Sequence, residues 1–187
     1  MVPRRVYHAS SVQGLGTLIP SDSTHGSWIY AVGDPELAAC FLSTTGGDLT
    51  CAVGRDRLSG KAYVCGRFKG AFDHRYAGRS GSIYTLEGSD FHAGRTPWSE
   101  EFVCAKPVPS IDEVRIEDAS AHLRHLNTIG MIELVRYPER IDGIPADDSD
   151  LVLRATEWYR KMGATALDGF ASYHPRLLSE SRRHLDL

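Results

Sequence analysis

The run Trp28-Ile29-Tyr30-Ala31-Val32 passes straight into Gly33-Asp34-Pro35-Glu36, and this junction constrains the fold more than any other stretch. Five consecutive apolar, aromatic or β-branched residues read as a buried strand over Trp28–Val32. Asp34 has the side chain of an N-cap, Pro35 fits the first helical position, and Glu36 suits the positive end of the first turn. Leu37, Ala38, Phe41 and Leu42 share one helical face, so the pattern predicts a helix over Pro35–Leu42. Upstream, Arg4–Ser10 reads as a strand with Val6 and His8 on one face and Tyr7 on the other. The Gly-, Ser- and Asp-rich stretch Ser11–Ser27 reads as a loop.

Beyond Thr44 the chain breaks into short β segments: Leu49–Val53, Ala62–Cys65, Gly81–Leu86, Glu101–Ala105 and Ile111–Ile116. Arg67–Arg79 carries four Lys or Arg and three aromatic residues, and reads as a mobile basic hairpin or loop. Ala119–Asn127 predicts a short helix, Met131–Val135 a strand, and Ser149–Met162 an amphipathic helix capped by Ser149, with Trp158 on its core side. An apolar patch, Ala164–Phe170, precedes a polar tail with no visible chemistry. Strands outnumber helices without regular βαβ alternation, so the class is α+β with a mainly antiparallel sheet. A chain of 187 residues is long enough for one domain with a real core.

A net charge of −3 gives no overall field toward nucleic acid or an anionic membrane. Arg4 and Arg5 lead into polar sequence rather than an apolar run, so a signal peptide is not expected and the cytoplasm is the default. No apolar stretch reaches the length of a membrane span. Cys40, Cys51, Cys65 and Cys104 are widely spaced, which suits buried small hydrophobes and not a zinc site. His122 and His125 stand three apart with no convincing third ligand, so a solvated helix face is expected there and no metal. A nucleophile elbow, a P-loop and a dinucleotide fingerprint are all missing. A hydrolase would need a histidine against Cys40, Cys65 or Ser80, and nothing in the sequence pairs them.

What remains is Tyr7-His8-Ala9-Ser10 on one strand and Ile29-Tyr30-Ala31-Val32 on the next, followed by the helix. This arrangement resembles the His–Tyr–Glu branch of the ADP-ribosyltransferases, which includes poly-ADP-ribose polymerases, diphtheria-like toxins and small single-domain bacterial relatives. Phe41, eleven residues beyond Tyr30, matches the second aromatic of the polymerases. Ser99-Glu100-Glu101-Phe102-Val103-Cys104 resembles the strand that opens on the family glutamate; Glu101 is assigned, with Glu100 as its rival. In that register Phe102 and Cys104 face away from Glu101 and Val103. The likeness covers the first 42 residues well and the middle loosely; it fails after about residue 120.

The resemblance implies an ADP-ribosyltransferase-like split sheet with flanking helices, an NAD-binding core over 1–118 and an extension of unassigned role over 119–187. It implies NAD as co-substrate, with His8 on a ribose hydroxyl, the Ala9 backbone on the carboxamide, Ser10 as a further contact and Tyr30 and Phe41 as walls for the nicotinamide. Glu101 would stabilise positive charge developing on the ribose or deprotonate the acceptor. The implied activity is mono-ADP-ribosyl transfer to a protein, nucleic acid or small molecule, and a regulatory or antitoxin partner fits a toxin-like relative. Alternatives are an NAD glycohydrolase, or a catalytically silent module that binds ADP-ribose, nucleic acid or protein through Arg67–Arg79. Two departures stand out: Ala9 replaces the family glycine, and Ala38 replaces a serine that touches the carboxamide. His25-Gly26-Ser27 spells the family motif too, but lies too close to Tyr30 to leave room for the intervening loop; His25 is kept as a lid or substrate contact. Acceptor choice is expected to rest on Gly88–Trp98.

Overall fold

The computed structural model describes residues 1–23 and 26–186; His25 lies outside them. Eleven strands are described: β1 Arg5–Ser10, β2 Thr17–Leu18, β3 Ser21–Ser23, β4 Gly26–Ala31, β5 Cys51–Arg55, β6 Ala62–Gly66, β7 Gly81–Glu87, β8 His92–Ala93, β9 Phe102–Cys104, β10 Val108–Ile116 and β11 Ile132–Val135. The α-helices are α1 Pro35–Ala39, α2 Ala71–Tyr76, α3 Ala119–Thr128, α4 Asp150–Met162, α5 Ala166–Tyr173 and α6 Pro175–His184. The class is α+β, and seven of the eight strand pairings among the described residues are antiparallel.

Three sheets form, in the orders β1-β7-β10-β2, β11-β6-β5 and β3-β4-β9-β8. The first and third are hydrogen-bonded to each other through one bridge. Tyr7 and Val32 exchange two backbone hydrogen bonds of 2.9 Å, which splices the end of β4 onto β1. Close pairing of β1 with β7 depends on Gly81, where a Cβ would run into the Ser10 carbonyl. Between the sheets, α1 is buried through Leu37, Ala38 and Ala39, which pack with Val64, Tyr76, Leu123 and Ile132. Each fully buried Leu there contributes on the order of 2 kcal/mol. A second cluster joins Val6, Ile29, Tyr84, Leu86 and Phe102.

The junction forms as the sequence dictates. Asp34 Oδ1 accepts the Leu37 N–H at 2.8 Å, and Pro35 opens the helix. The helix is nevertheless shorter than its apolar pattern. Beyond Ala39 the N–H groups of Cys40, Phe41 and Leu42 turn to carbonyls three residues back, and the Ser/Thr/Gly run that follows cannot extend it. Phe41 therefore sits in the tightened turn after α1.

Several expectations are corrected. Ser11–Ser27 contains β2 and β3, which are too short to declare themselves and are made by pairing with β10 and β4. Arg67–Arg79 is no mobile loop. It carries α2, the Arg67 side chain is fully buried, and Arg75 and Tyr76 are buried too. Arg67 bonds Asp148 at 2.9 Å and both oxygens of Asp150 at 2.9 and 2.8 Å, while Arg75 donates to the carbonyls of Ser43, Gly47 and Cys51. Ser149 is helical and makes no side-chain cap, because Asp148 before it takes φ 59° to reach Arg67. The first part of the polar tail, from Ser179 to His184, completes α6, whose Leu177 packs with Leu151 and Phe170.

Packing also crosses residue 118. Ala119, Leu123 and Ile132 belong to the cluster that holds Leu37, and β11 runs parallel to β6. The separately packed unit is α4–α6, fastened to the rest by the Arg67 ion pairs and by His174 Nε2, 2.6 Å from the Leu49 carbonyl. No helix among the described residues is long and apolar enough to cross a membrane.

Candidate functional site

The splice between β1 and β4 leaves a cavity of about 310 Å³, and His8, Ala9, Tyr30, Phe41 and Glu101 all line it. His8, Ala9, Tyr30 and Glu101 are brought to one place by the sheet register, and Phe41 joins them from the turn after α1. Tyr30 lies opposite Val103 across the β4–β9 ladder and Ala31 opposite Phe102. Continuing that register sets Glu101 beside Val32, on the face of the sheet that carries Tyr30. Phe102 and Cys104 turn the other way into the core cluster with Ile29 and Ala31, as the alternation requires.

His8 Nδ1 lies 2.6 Å from the Tyr30 carbonyl. A carbonyl can only accept, so Nδ1 carries the proton. Burial holds the pKa of His8 below its ordinary value, with the Tyr30 bond opposing in part. The ring is neutral at pH 7, and Nε2 is the nitrogen left to accept a hydrogen bond from a bound hydroxyl.

The Tyr30 hydroxyl bonds the Ser23 hydroxyl on β3. Burial raises the Tyr30 pKa and the nearby Glu101 charge adds to the rise, while Ser23 opposes it. Glu101 is itself held above the usual carboxylate range, mainly by burial and further by Asp48, with the Thr96 hydroxyl acting in the other direction. Its backbone N–H bonds the Trp98 carbonyl at 3.2 Å, and Trp98 packs against Phe41 with ring centroids 5.7 Å apart.

Glu100 is not in this cavity. Its Oε2 accepts from Arg55 Nε at 2.9 Å, and Arg55 also binds the helix-capping Asp34. Ser10 is likewise not brought in: its Oγ accepts the Val12 N–H at 3.1 Å and closes a local turn. Ala38 lines the cavity with a methyl group and offers no hydrogen bond. All four cysteines are free and buried, and burial pushes the Cys40 thiol up to about 12 and Cys51 to about 11. Such thiols are poor nucleophiles. Cys40 donates to the Glu36 carbonyl and Cys65 to that of Glu139, so no histidine activates either. No cluster of three metal-ligating side chains occurs among the described residues.

Sequence reasoning missed Ser23 as part of the site, and held Trp98 only as the end of the acceptor segment Gly88–Trp98. Ser23 is placed by the β3–β4 hairpin, for which the polar Ser-Asp-Ser run before Gly26 was the available signal. Trp98 closes the Gly88–Trp98 segment and reaches Phe41 only through the fold.

No family model matches this chain, and neither a curated protein nor a solved structure does. A neutral acceptor, two aromatic rings and one half-buried carboxylate suit a flat, apolar group joined to a polyhydroxyl ring that gains positive charge as it reacts.

Proposed function

We propose that the chain is an NAD-dependent mono-ADP-ribosyltransferase with an ADP-ribosyltransferase-like fold. The observation that carries this reading is the convergence of His8, Tyr30, Phe41 and Glu101 on one cavity. NAD supplies a cationic nicotinamide leaving group on a ribose, and the residues fit that half of it. Tyr30 and Phe41 flank the ring, and the Ala9 backbone is available to the carboxamide. His8 Nε2 accepts from a ribose hydroxyl. Its neutral state avoids setting a positive charge beside the cationic ring.

In the reaction the C–N glycosidic bond breaks and its electron pair goes to the nicotinamide nitrogen, which becomes neutral. Glu101 stabilises the positive charge that develops at the ribose carbon. The raised pKa equips the same carboxylate to take the proton released when the acceptor bonds to that carbon. General acid–base groups of this kind supply about 10²–10⁴ in rate.

Of the four cations in the segment on which the silent-binding alternative relied, Arg67 and Arg75 are buried and bonded within the fold, while Lys69 and Arg79 are exposed and stay available to a partner. Thermal shift with NAD and with nicotinamide tests the site. Both ligands should stabilise the wild type, and Tyr30→Ala should lose most of the nicotinamide effect. Equal stabilisation of wild type and Tyr30→Ala would place the ligand elsewhere.

A further inference from the structure

Glu101 and Phe41 have a second side. Both also line an open trough of about 1090 Å³, bounded by β5 and its following turn, by Trp98 and by the exposed face of α4. A ligand there would share Glu101 and Phe41 with a ligand in the first cavity. The α4–α6 unit, unassigned on sequence grounds, supplies one wall through Leu153, Arg154, Glu157 and Trp158.

The trough has a definite charge. Of its three arginines, Arg55 is engaged by Asp34 and Glu100, and Arg154 by Asp48 and, at 3.9 Å, Asp150. Arg57 alone is then left to balance Asp56, Glu101, Asp142 and Glu157. Among the described residues no cation pairs with Asp142 or Glu157. Tyr63, Trp98 and Trp158 line the same trough. Aromatic faces beside unpaired carboxylates favour a cation and disfavour phosphate.

We propose that this trough is the acceptor site and that it takes a cationic nitrogen nucleophile, an amine or a guanidinium, carried on a small molecule or a basic peptide. The inference rests on the transferase reading and extends it to the acceptor class. As the cationic nitrogen gives a proton to Glu101, the electron pair so freed forms the bond to the ribose carbon while the bond to nicotinamide breaks and its electrons go to the nicotinamide nitrogen. Polyanionic acceptors are repelled by the same wall.

The test offers the full chain NAD with agmatine, spermine, an arginine-rich peptide or a single-stranded DNA or RNA oligonucleotide, following nicotinamide release and acceptor mass together. At least one cation should gain ADP-ribose and speed nicotinamide release; agmatine or spermine against the peptide tells a small-molecule source from a peptide one. The double substitution Asp142→Asn with Glu157→Gln should raise the KM for that cation about tenfold and the KM for NAD less than twofold. Nicotinamide release with modification of an oligonucleotide alone, or with no cation modified, overturns the acceptor assignment and leaves the transferase reading standing. An unchanged cation KM in the double variant also overturns it. No nicotinamide release with any acceptor overturns both.

Discussion

Glu100 and Glu101 are adjacent in sequence and belong to different structures. Glu100 meets Arg55 at 2.9 Å, in an ion network that also holds the cap of α1. Glu101 lies one residue before β9, on the face shared with Tyr30, and lines the cavity with His8. Glu100 lies in the turn before β9 and is drawn to Arg55, while Glu101 continues the alternation of β9 onto the Tyr30 face.

The first prediction concerns the cost of that placement. Burial raises the pKa of Glu101, so the folded state binds its proton more tightly than the unfolded chain does. The associated stability is fully present below the unfolded pKa and is lost as pH rises through the folded one. Glu101→Gln should therefore raise Tm at pH 7.5 by roughly 2 °C, and the difference from wild type should vanish in acid. A Tm difference independent of pH would show that the carboxylate carries no such strain.

His8 shifts the other way. Its folded pKa is depressed, so its contribution to stability is present above the ordinary value of 6.5 and drains as pH falls toward the depressed one. In an NMR titration the His8 ring should titrate below 6.5, with Nδ1 protonated throughout. Titration above 6.5 would mean a charged ring in the cavity and would remove the proposed acceptor.

Arg67 anchors α4–α6. Replacing it by Ala leaves Asp148 buried without its principal cation and should cost about 3–5 kcal/mol in chemical denaturation. Arg67→Met, which fills more of the volume, should still cost more than 1 kcal/mol because Asp148 and Asp150 keep their charge. A loss below 0.5 kcal/mol in both variants would show that the helical unit is held by its apolar contacts alone.

Much of the site was legible because it is local. The cap at Asp34, the buried strand before it and the alternation through Glu101-Phe102-Val103-Cys104 are short-range patterns, and each formed in place or within a residue or two. What was not legible depends on partners far along the chain. Arg67 looked like a solvated charge because Asp148 and Asp150 lie more than eighty positions away. Ser10 looked like a ligand residue because its turn with Val12 competes only once the strand ends there. Ser149 looked like a cap because nothing nearby announces the φ 59° at Asp148.

In the proposed reaction His8, Tyr30 and Glu101 cleave the nicotinamide bond of NAD. The most direct measurement is the rate of nicotinamide release from NAD by the wild type, Glu101→Gln and Glu100→Gln, with folding of each checked by its denaturation curve. The wild type should release nicotinamide, Glu101→Gln should lose about 10²-fold or more, and Glu100→Gln should change by less than about fivefold, since its partner Arg55 is exposed enough to be solvated without it. No release by the folded wild type, or equal release by wild type and Glu101→Gln, would contradict it.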